Sequence, residues 1–263
     1  MTAAVAPLDG DVRMTVSRPG RIWDLVARQA ASHGGPVSAT DACVAAVAAV
    51  QVTGAWLSAA SGTELPGHLM SVTDAVGERL AELQLRLGEG PSPDAAANGG
   101  PVLAADLGET ESDRRWPVFA PAARRAGAAA VFTFPLRIGA IRAGVMGLYR
   151  DRAGQLDDMQ LGDALLFADA AALLLVSAGQ LGEPAAGAGP GGQSADLAGH
   201  RAEIDQATGM LTEQLGVGVT EAFIRLRAYA YAHDRPLGDL ARDIVARRLR
   251  LGPDPDSSED DQA

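Results

Sequence analysis

The sequence contains little of several residue types, and each scarcity excludes something. Its 263 residues include a single cysteine, Cys43. No internal disulfide can form, and we expect the chain to fold in a reducing cytoplasm. No uninterrupted apolar run reaches the ~18 residues of a membrane-spanning helix, because Asp169 interrupts the most apolar stretch, 165–176. The sequence therefore predicts no membrane partner.

Patterns that mark metal sites and enzymes are also missing. The four histidines are scattered, and none forms a metal-ligand spacing with another. We find no nucleophile–base motif, no paired carboxylates at a useful spacing and no phosphate-binding glycine loop. The sequence therefore predicts no metal, no cofactor and no enzymatic activity.

Charge is unevenly distributed along the chain. The formal net charge is −11, and all basic residues other than histidine are arginine. Residues 200–251 carry eight arginines against seven acidic residues, whereas 252–263 carry five acidic residues and no arginine. Only the segment 200–251 therefore has a charge that permits binding to a polyanion.

Composition divides the chain into two domains. Residues 182–194 are rich in Gly, Ala and Pro and predict a flexible linker. We expect a domain over 20–180 and a second over 195–251. Residues 1–18 are predicted to be disordered, as is the acidic tail 252–263.

The first domain mixes helical and strand patterns, which predicts an α+β fold. The clearest signal lies at 131–149, where Phe132, Phe134, Leu136 and Ile138 alternate with other residues and Gly139-Ala140 fits a tight turn. In the second strand of this hairpin, Ile141, Ala143, Val145 and Tyr149 are expected to share one side. Spacing predicts helices at 22–30, 39–52, 76–87 and 156–178 and strands at 54–60 and 67–72, with an irregular segment between 88 and 130.

The second domain shows three helical segments. The first covers 195–215, the second begins at Thr220 as its N-cap, and the third follows Pro236 over 237–249. Three short helices bury little apolar surface, so we expect this unit to need a partner and the protein to form a homodimer.

One face of the second helix has an unusual composition. Ile224, Ala228 and Tyr231 lie opposite its apolar core face, and Arg225 and Arg227 flank them. Arg227 is expected to reach outward beside Tyr231. Two interpretations remain open for the arginines: solvated helix charges, or guanidinium groups that contact phosphates and bases beside a stacking surface.

Residues 36–178 resemble a GAF domain. The resemblance rests on Leu87-Gly-Glu-Gly-Pro, on Pro101-Val-Leu-Ala-Ala-Asp-Leu, on Arg115-Trp-Pro-Val-Phe-Ala and on Phe134-Pro-Leu-Arg-Ile-Gly-Ala-Ile-Arg. It implies a sensor domain built on an antiparallel sheet, with helices on one face and a pocket on the other. Trp116 and Phe119 are candidates to line a pocket for an unidentified small ligand, with core packing as the alternative. Ser92 stands where many relatives carry cysteine.

The C-terminal segment resembles an ANTAR domain, a three-helix bundle. The resemblance runs from Arg201-Ala-Glu-Ile-Asp-Gln-Ala-Thr-Gly-Met-Leu through Glu221-Ala-Phe-Ile-Arg-Leu-Arg-Ala-Tyr-Ala to Leu240-Ala-Arg-Asp-Ile-Val. It implies dimeric binding to paired RNA stem-loops that prevents terminator formation. The RNA-binding candidates are Gln206, Thr208, Gly209, Arg225, Arg227 and Tyr231. The family commonly has a basic residue at the position of Thr208.

The sequence thus predicts an RNA-binding transcription antiterminator, controlled by a small molecule or by an upstream signalling protein. Two alternatives remain. The helical unit could serve only for dimerisation or protein interaction, or the first domain could be a thiol enzyme on a GAF scaffold. The thiol enzyme is disfavoured because its chemistry normally needs a second, resolving thiol, and Cys43 is the single cysteine of the sequence.

Overall fold

The computed structural model describes residues 17–61, 65–178 and 192–252. The predicted disorder of 1–16, most of the predicted linker (182–191) and the acidic tail from 253 lie outside the described residues. Residues 192–194, assigned to the linker by composition, belong to a helix instead.

The N-terminal unit is a mixed helix-and-sheet domain. Its helices are α1 (Arg18–His33), α2 (Ala39–Val50), α3 (Ala75–Leu87), α4 (Pro91–Asn98), α5 (Thr110–Arg115), α6 (Phe119–Ala126) and α7 (Asp158–Ser177). Its strands are β1 (Gly54–Ser61), β2 (Leu65–Val72), β3 (Val102–Ala104), β4 (Ala130–Ile138) and β5 (Ile141–Arg150). They form one antiparallel sheet in the order β2-β1-β5-β4-β3.

The predicted hairpin is confirmed as β4 and β5, but the side-chain alternation changes within β5. Leu136 pairs with Gly144 and Arg137 with Arg142, so Ala143 is an extra residue in the ladder. Such a bulge shifts the following side chains to the other face. Ala143 therefore packs in a different core cluster from Tyr149, and the expectation that both share one side was wrong.

Helices cover both faces of the sheet, so the expectation of helices on one face only was wrong. On one face, α1, α2 and α7 enclose a core that includes Phe132, Phe134 and Leu136 of β4. On the other face, α3 to α6 enclose a second core that includes Trp56 and Val131. Among the described helices, α7 alone is long and apolar enough to cross a bilayer by length and composition. Here α7 is a core helix packed on α2 and β4.

The segment predicted to be irregular contains four short elements, α4, β3, α5 and α6. Glu89, near the start of this segment, contacts α6: its Oε1 accepts hydrogen bonds from the backbone N–H groups of Val118 (2.7 Å) and Phe119 (2.6 Å). These N–H groups lie at the start of α6 and have no partner within that helix. A carboxylate ~30 residues away in sequence therefore caps α6, for which no local pattern exists.

The C-terminal unit consists of α8 (Gly192–Leu215), α9 (Val219–Ala232) and α10 (Leu237–Val245). The three predicted helices are confirmed, but the N-cap of α9 lies two residues earlier than expected, at Gly218 and not at Thr220. The core of this unit contains Leu211, Phe223, Leu226 and Leu240. Leu85 of α3 packs against this core, so the first domain supplies part of the apolar partner that three short helices need.

Cys43 lies on α2 with no exposed surface, and burial raises its pKa to about 12. Because the thiolate is the reactive form, the native protein is expected to resist iodoacetamide at pH 8, and the protein unfolded in guanidinium is expected to react completely. Mass spectrometry of the alkylated chain measures both. Rapid labelling of the folded chain would contradict the buried position of Cys43.

Candidate nucleic-acid interface

An apolar strip lies exposed on α9. Ile224 is 54% exposed and Tyr231 is 53% exposed, and Ala228 between them is also exposed. The opposite side of the helix buries Ala222, Phe223, Leu226 and Ala230. The strip therefore stays exposed because other residues of α9 form the face that packs on the core. An exposed tyrosine ring next to aliphatic groups is a surface on which an unpaired base can stack.

Arg225 lies on one border of this strip. Its Nη2 and Nε both bond to Oε1 of Glu221, one turn earlier, at 2.7 and 3.1 Å. The pair is partly exposed, so water screens it and it is worth little. Arg225 can exchange Glu221 for a phosphate at small cost.

Arg227 lies on the other border, and its predicted outward orientation is wrong. Its Nε donates a hydrogen bond to the backbone oxygen of Arg86, at the end of α3, at 3.1 Å. Its guanidinium also lies against Gly88, where an added Cβ would meet Nη2 at 1.6 Å. Loss of water at this position lowers the pKa of Arg227. Arg227 takes this orientation because the two units pack together at this position. The sequence pattern of one helix contains no information about that packing.

A second contact between the units lies beside the first. Nη1 of Arg86 bonds to Oδ1 of Asp234, just after α9, at 3.1 Å. The Arg86 side chain is 7% exposed, whereas that of Asp234 is 93% exposed. No local sequence signal marks either residue, because they lie 148 positions apart.

The three candidates on α8 differ in exposure. Gln206 and Gly209 are exposed, and Gly209 has open space where a Cβ would be. Thr208 is buried, and its hydroxyl donates to the backbone oxygen of Ile204 at 2.8 Å. The structure therefore brings Gln206 and Gly209 to the surface and keeps Thr208 in the helix core.

Arginines near α10 are engaged in ion pairs within the C-terminal unit. Arg235 and Arg248 both bond to Asp243, and these bonds lower the pKa of that carboxyl group. Arg242 bonds to Glu203 and Asp239, and the bond to Glu203 is the main cause that raises the pKa of the guanidinium. These pairs connect α8, α10 and the α9–α10 turn.

In the first domain, Trp116 and Phe119 lie in the core. Both are buried, and their rings meet edge to face with centroids 6.4 Å apart. The indole N–H of Trp116 donates to Asp94 at 3.2 Å. This packing is the alternative expected from sequence, and a ligand-lining role stays a prediction. Thr133 and Ser92 on the same domain carry buried hydroxyls with no hydrogen-bond partner in the described structure.

Within the described ranges, no group of three or more His, Cys, Asp or Glu side chains could hold a metal ion.

Comparison with known families places an ANTAR domain in this chain. Residues 197–245 match the family model of the ANTAR domain. They cover most of α8, all of α9 and all of α10, the unit that carries the exposed strip. No match was found among the curated proteins.

Solved structures similar to the N-terminal part include GAF domains. One is the GAF domain of a phosphoenolpyruvate-protein phosphotransferase from Coxiella burnetii, 12% identical, covering 62% of this chain and 98% of that chain with a TM-score of 0.47. Another is a domain of a two-component sensor histidine kinase protein from Sinorhizobium meliloti 1021, 19% identical, covering 52% and 86% with a TM-score of 0.41. A third is the free methionine-R-sulfoxide reductase of Neisseria meningitidis, 10% identical, covering 62% and 93% with a TM-score of 0.41.

Proposed function

We propose that this protein, which carries an ANTAR domain at residues 197–245, is an RNA-binding transcription antitermination regulator. Its helical unit binds RNA stem-loops as a homodimer, and its N-terminal unit acts as a GAF-like sensor. The signal is a small molecule in the sensor or an upstream signalling protein, and the site of action is the cytoplasm. The domains follow the boundaries inferred from composition, with the helical unit extended to Gly192.

The observation that carries the proposal is the surface of α9. Within an ANTAR domain, Tyr231 and Ile224 are each more than half exposed, and an arginine borders them on each side. Stem-loops present unstacked bases, which proteins bind by aromatic stacking and guanidinium contacts. Gln206 and Gly209 add an exposed polar side chain and an accessible backbone on α8.

Two other functions compete with this one. A thiol enzyme is disfavoured by Cys43, whose burial raises its pKa to about 12 and keeps the thiol protonated. A module for dimerisation or protein interaction without RNA would use the same apolar strip. These two uses of α9 differ in one measurable property, because only RNA binding weakens steeply with added salt.

The test is replacement of Tyr231 by alanine. Base stacking on an aromatic residue is worth about 1–3 kcal/mol per base, so Tyr231→Ala is expected to weaken binding to a paired stem-loop RNA by about tenfold. Fluorescence anisotropy with a labelled RNA of two hairpins, measured at several salt concentrations, gives the affinity.

Tyr231→Phe is the matched control, because it keeps the ring and removes only the hydroxyl. It should bind within about twofold of the unchanged protein if stacking is the contact. Equal affinity of all three proteins would show that this strip is not the RNA surface. Absence of salt-dependent binding in the unchanged protein would favour the interaction module.

A further inference from the structure

We propose that the contact between α3 and α9 is a latch that keeps the RNA-binding face of the helical unit incomplete until the sensor releases it. The proposal rests on the proposed RNA-binding function and concerns the regulation of that site. In the closed form described here, Arg227 caps α3, and Arg86 holds Asp234. When the latch opens, the guanidinium of Arg227 becomes available beside Tyr231 and Ile224.

Arg86 forms the charged part of the latch. The side chain is almost fully buried, and its Nε has no hydrogen-bond partner in the described structure. Its ion pair is with Asp234, which belongs to the other unit. Burial of a cation costs free energy that one exposed carboxylate repays only in part. An ion pair of this kind therefore holds the units together less strongly than an apolar contact of similar size would.

Arg227 gives the latch its effect on the RNA surface. It binds a carbonyl group at the C-terminal end of α3, where the helix dipole favours a positive charge. Gly88 makes this position accessible, because any side chain there would collide with the guanidinium. In the closed form, the guanidinium of Arg227 thus contacts the end of α3. In the open form, a phosphate would replace the end of α3 as its partner.

Apolar packing also contributes to the contact. Leu85 of α3 packs on the core of the helical unit, and α8 also lies alongside β2. Contacts of this kind between domains of one chain resemble transient interfaces, for which relative motion is expected. A modest bias from the sensor therefore suffices to shift the balance between closed and open forms.

The test compares Asp234→Asn with Asp239→Asn in the full chain. Both substitutions remove one exposed carboxylate and one ion pair with arginine, but only Asp234 pairs across the units, since Asp239 pairs with Arg242. Asn tolerates the positive φ of 46° at position 234. Hydrogen–deuterium exchange of peptides covering 84–89 and 223–231 measures opening, and anisotropy with the two-hairpin RNA measures affinity.

We expect Asp234→Asn to speed exchange in both peptides and to tighten RNA binding, each by about fivefold or more, as is typical of coupling between domains. Asp239→Asn should change neither by more than about twofold. Unchanged exchange in Asp234→Asn would overturn the latch. Faster exchange with unchanged affinity would overturn its control of RNA. If none of the three proteins binds the RNA, the proposed function fails, and exchange alone then decides whether the contact holds the units together.

Discussion

Replacement of Leu240 by alanine is expected to unfold the helical unit while the sheet unit stays folded. Leu240 of α10 has no exposed surface and belongs to the core of the helical unit, which is built mainly from three short helices. Truncation of a buried leucine costs about 2–5 kcal/mol, which is comparable to the whole stability that so small a core supplies. RNA binding should be lost together with the helical signal.

The distribution of tryptophan makes this result measurable. All three tryptophans, Trp23, Trp56 and Trp116, belong to the sheet unit. Their fluorescence should follow the same denaturant transition in Leu240→Ala as in the unchanged protein, whereas circular dichroism should show an early loss of helix. Ile224→Ala, at an exposed position of α9, is the control and should change stability by no more than about 0.5 kcal/mol. A single shared transition in Leu240→Ala would mean that the two units unfold as one.

Replacement of Gly144 by alanine is expected to destabilise the sheet unit by about 3 kcal/mol or more. Gly144 follows the bulge in β5 and has φ +150°, a conformation that L-residues avoid. An added Cβ would lie 2.0 Å from the backbone oxygen of Ser58 on the neighbouring strand β1. Backbone in the middle of a sheet cannot move aside without breaking hydrogen bonds between strands, so the clash cannot be relieved at small cost.

Gly139→Ala separates the effect of strain from that of collision. Gly139 also has positive φ, +59°, but nothing lies within 4 Å of its added Cβ. This variant should lose only about 1–2 kcal/mol, the cost of the left-handed backbone. Chemical denaturation followed by tryptophan fluorescence gives both values. Equal losses at the two positions would show that the close approach of β5 to β1 is not what requires glycine at 144.

Local patterns were sufficient for the elements that carry their own signal. The alternation of Phe132, Phe134 and Leu136 predicted β4, because one face of that strand supplies a core. The same reasoning failed beyond Ala143, since a bulge is a property of the pairing of two strands. The short helices between 88 and 130 were missed for a related reason: Glu89 caps α6 from another part of the chain.

The candidate interface shows the same division. Helical spacing correctly placed Ile224 and Tyr231 on the exposed side of α9, because that inference needs only the core face of one helix. It failed for the orientation of Arg227, which depends on where α3 lies. The burial of Thr208 could not be read from its residue type, because the hydroxyl is satisfied by the helix backbone itself.

The segment from Arg86 to Glu89 contacts three parts of the molecule within four residues. It contacts Arg227 and Asp234 of the helical unit. The carboxylate of Glu89 accepts hydrogen bonds at the start of α6, close to Trp116. Under the proposed latch, a ligand that moves this segment and an RNA that captures Arg227 act on one equilibrium. Thermodynamic reciprocity then requires that RNA change the affinity for the ligand by the same factor by which the ligand changes the affinity for RNA. A compound library could thus be screened against this sensor with its RNA as the reporter, before any ligand is known.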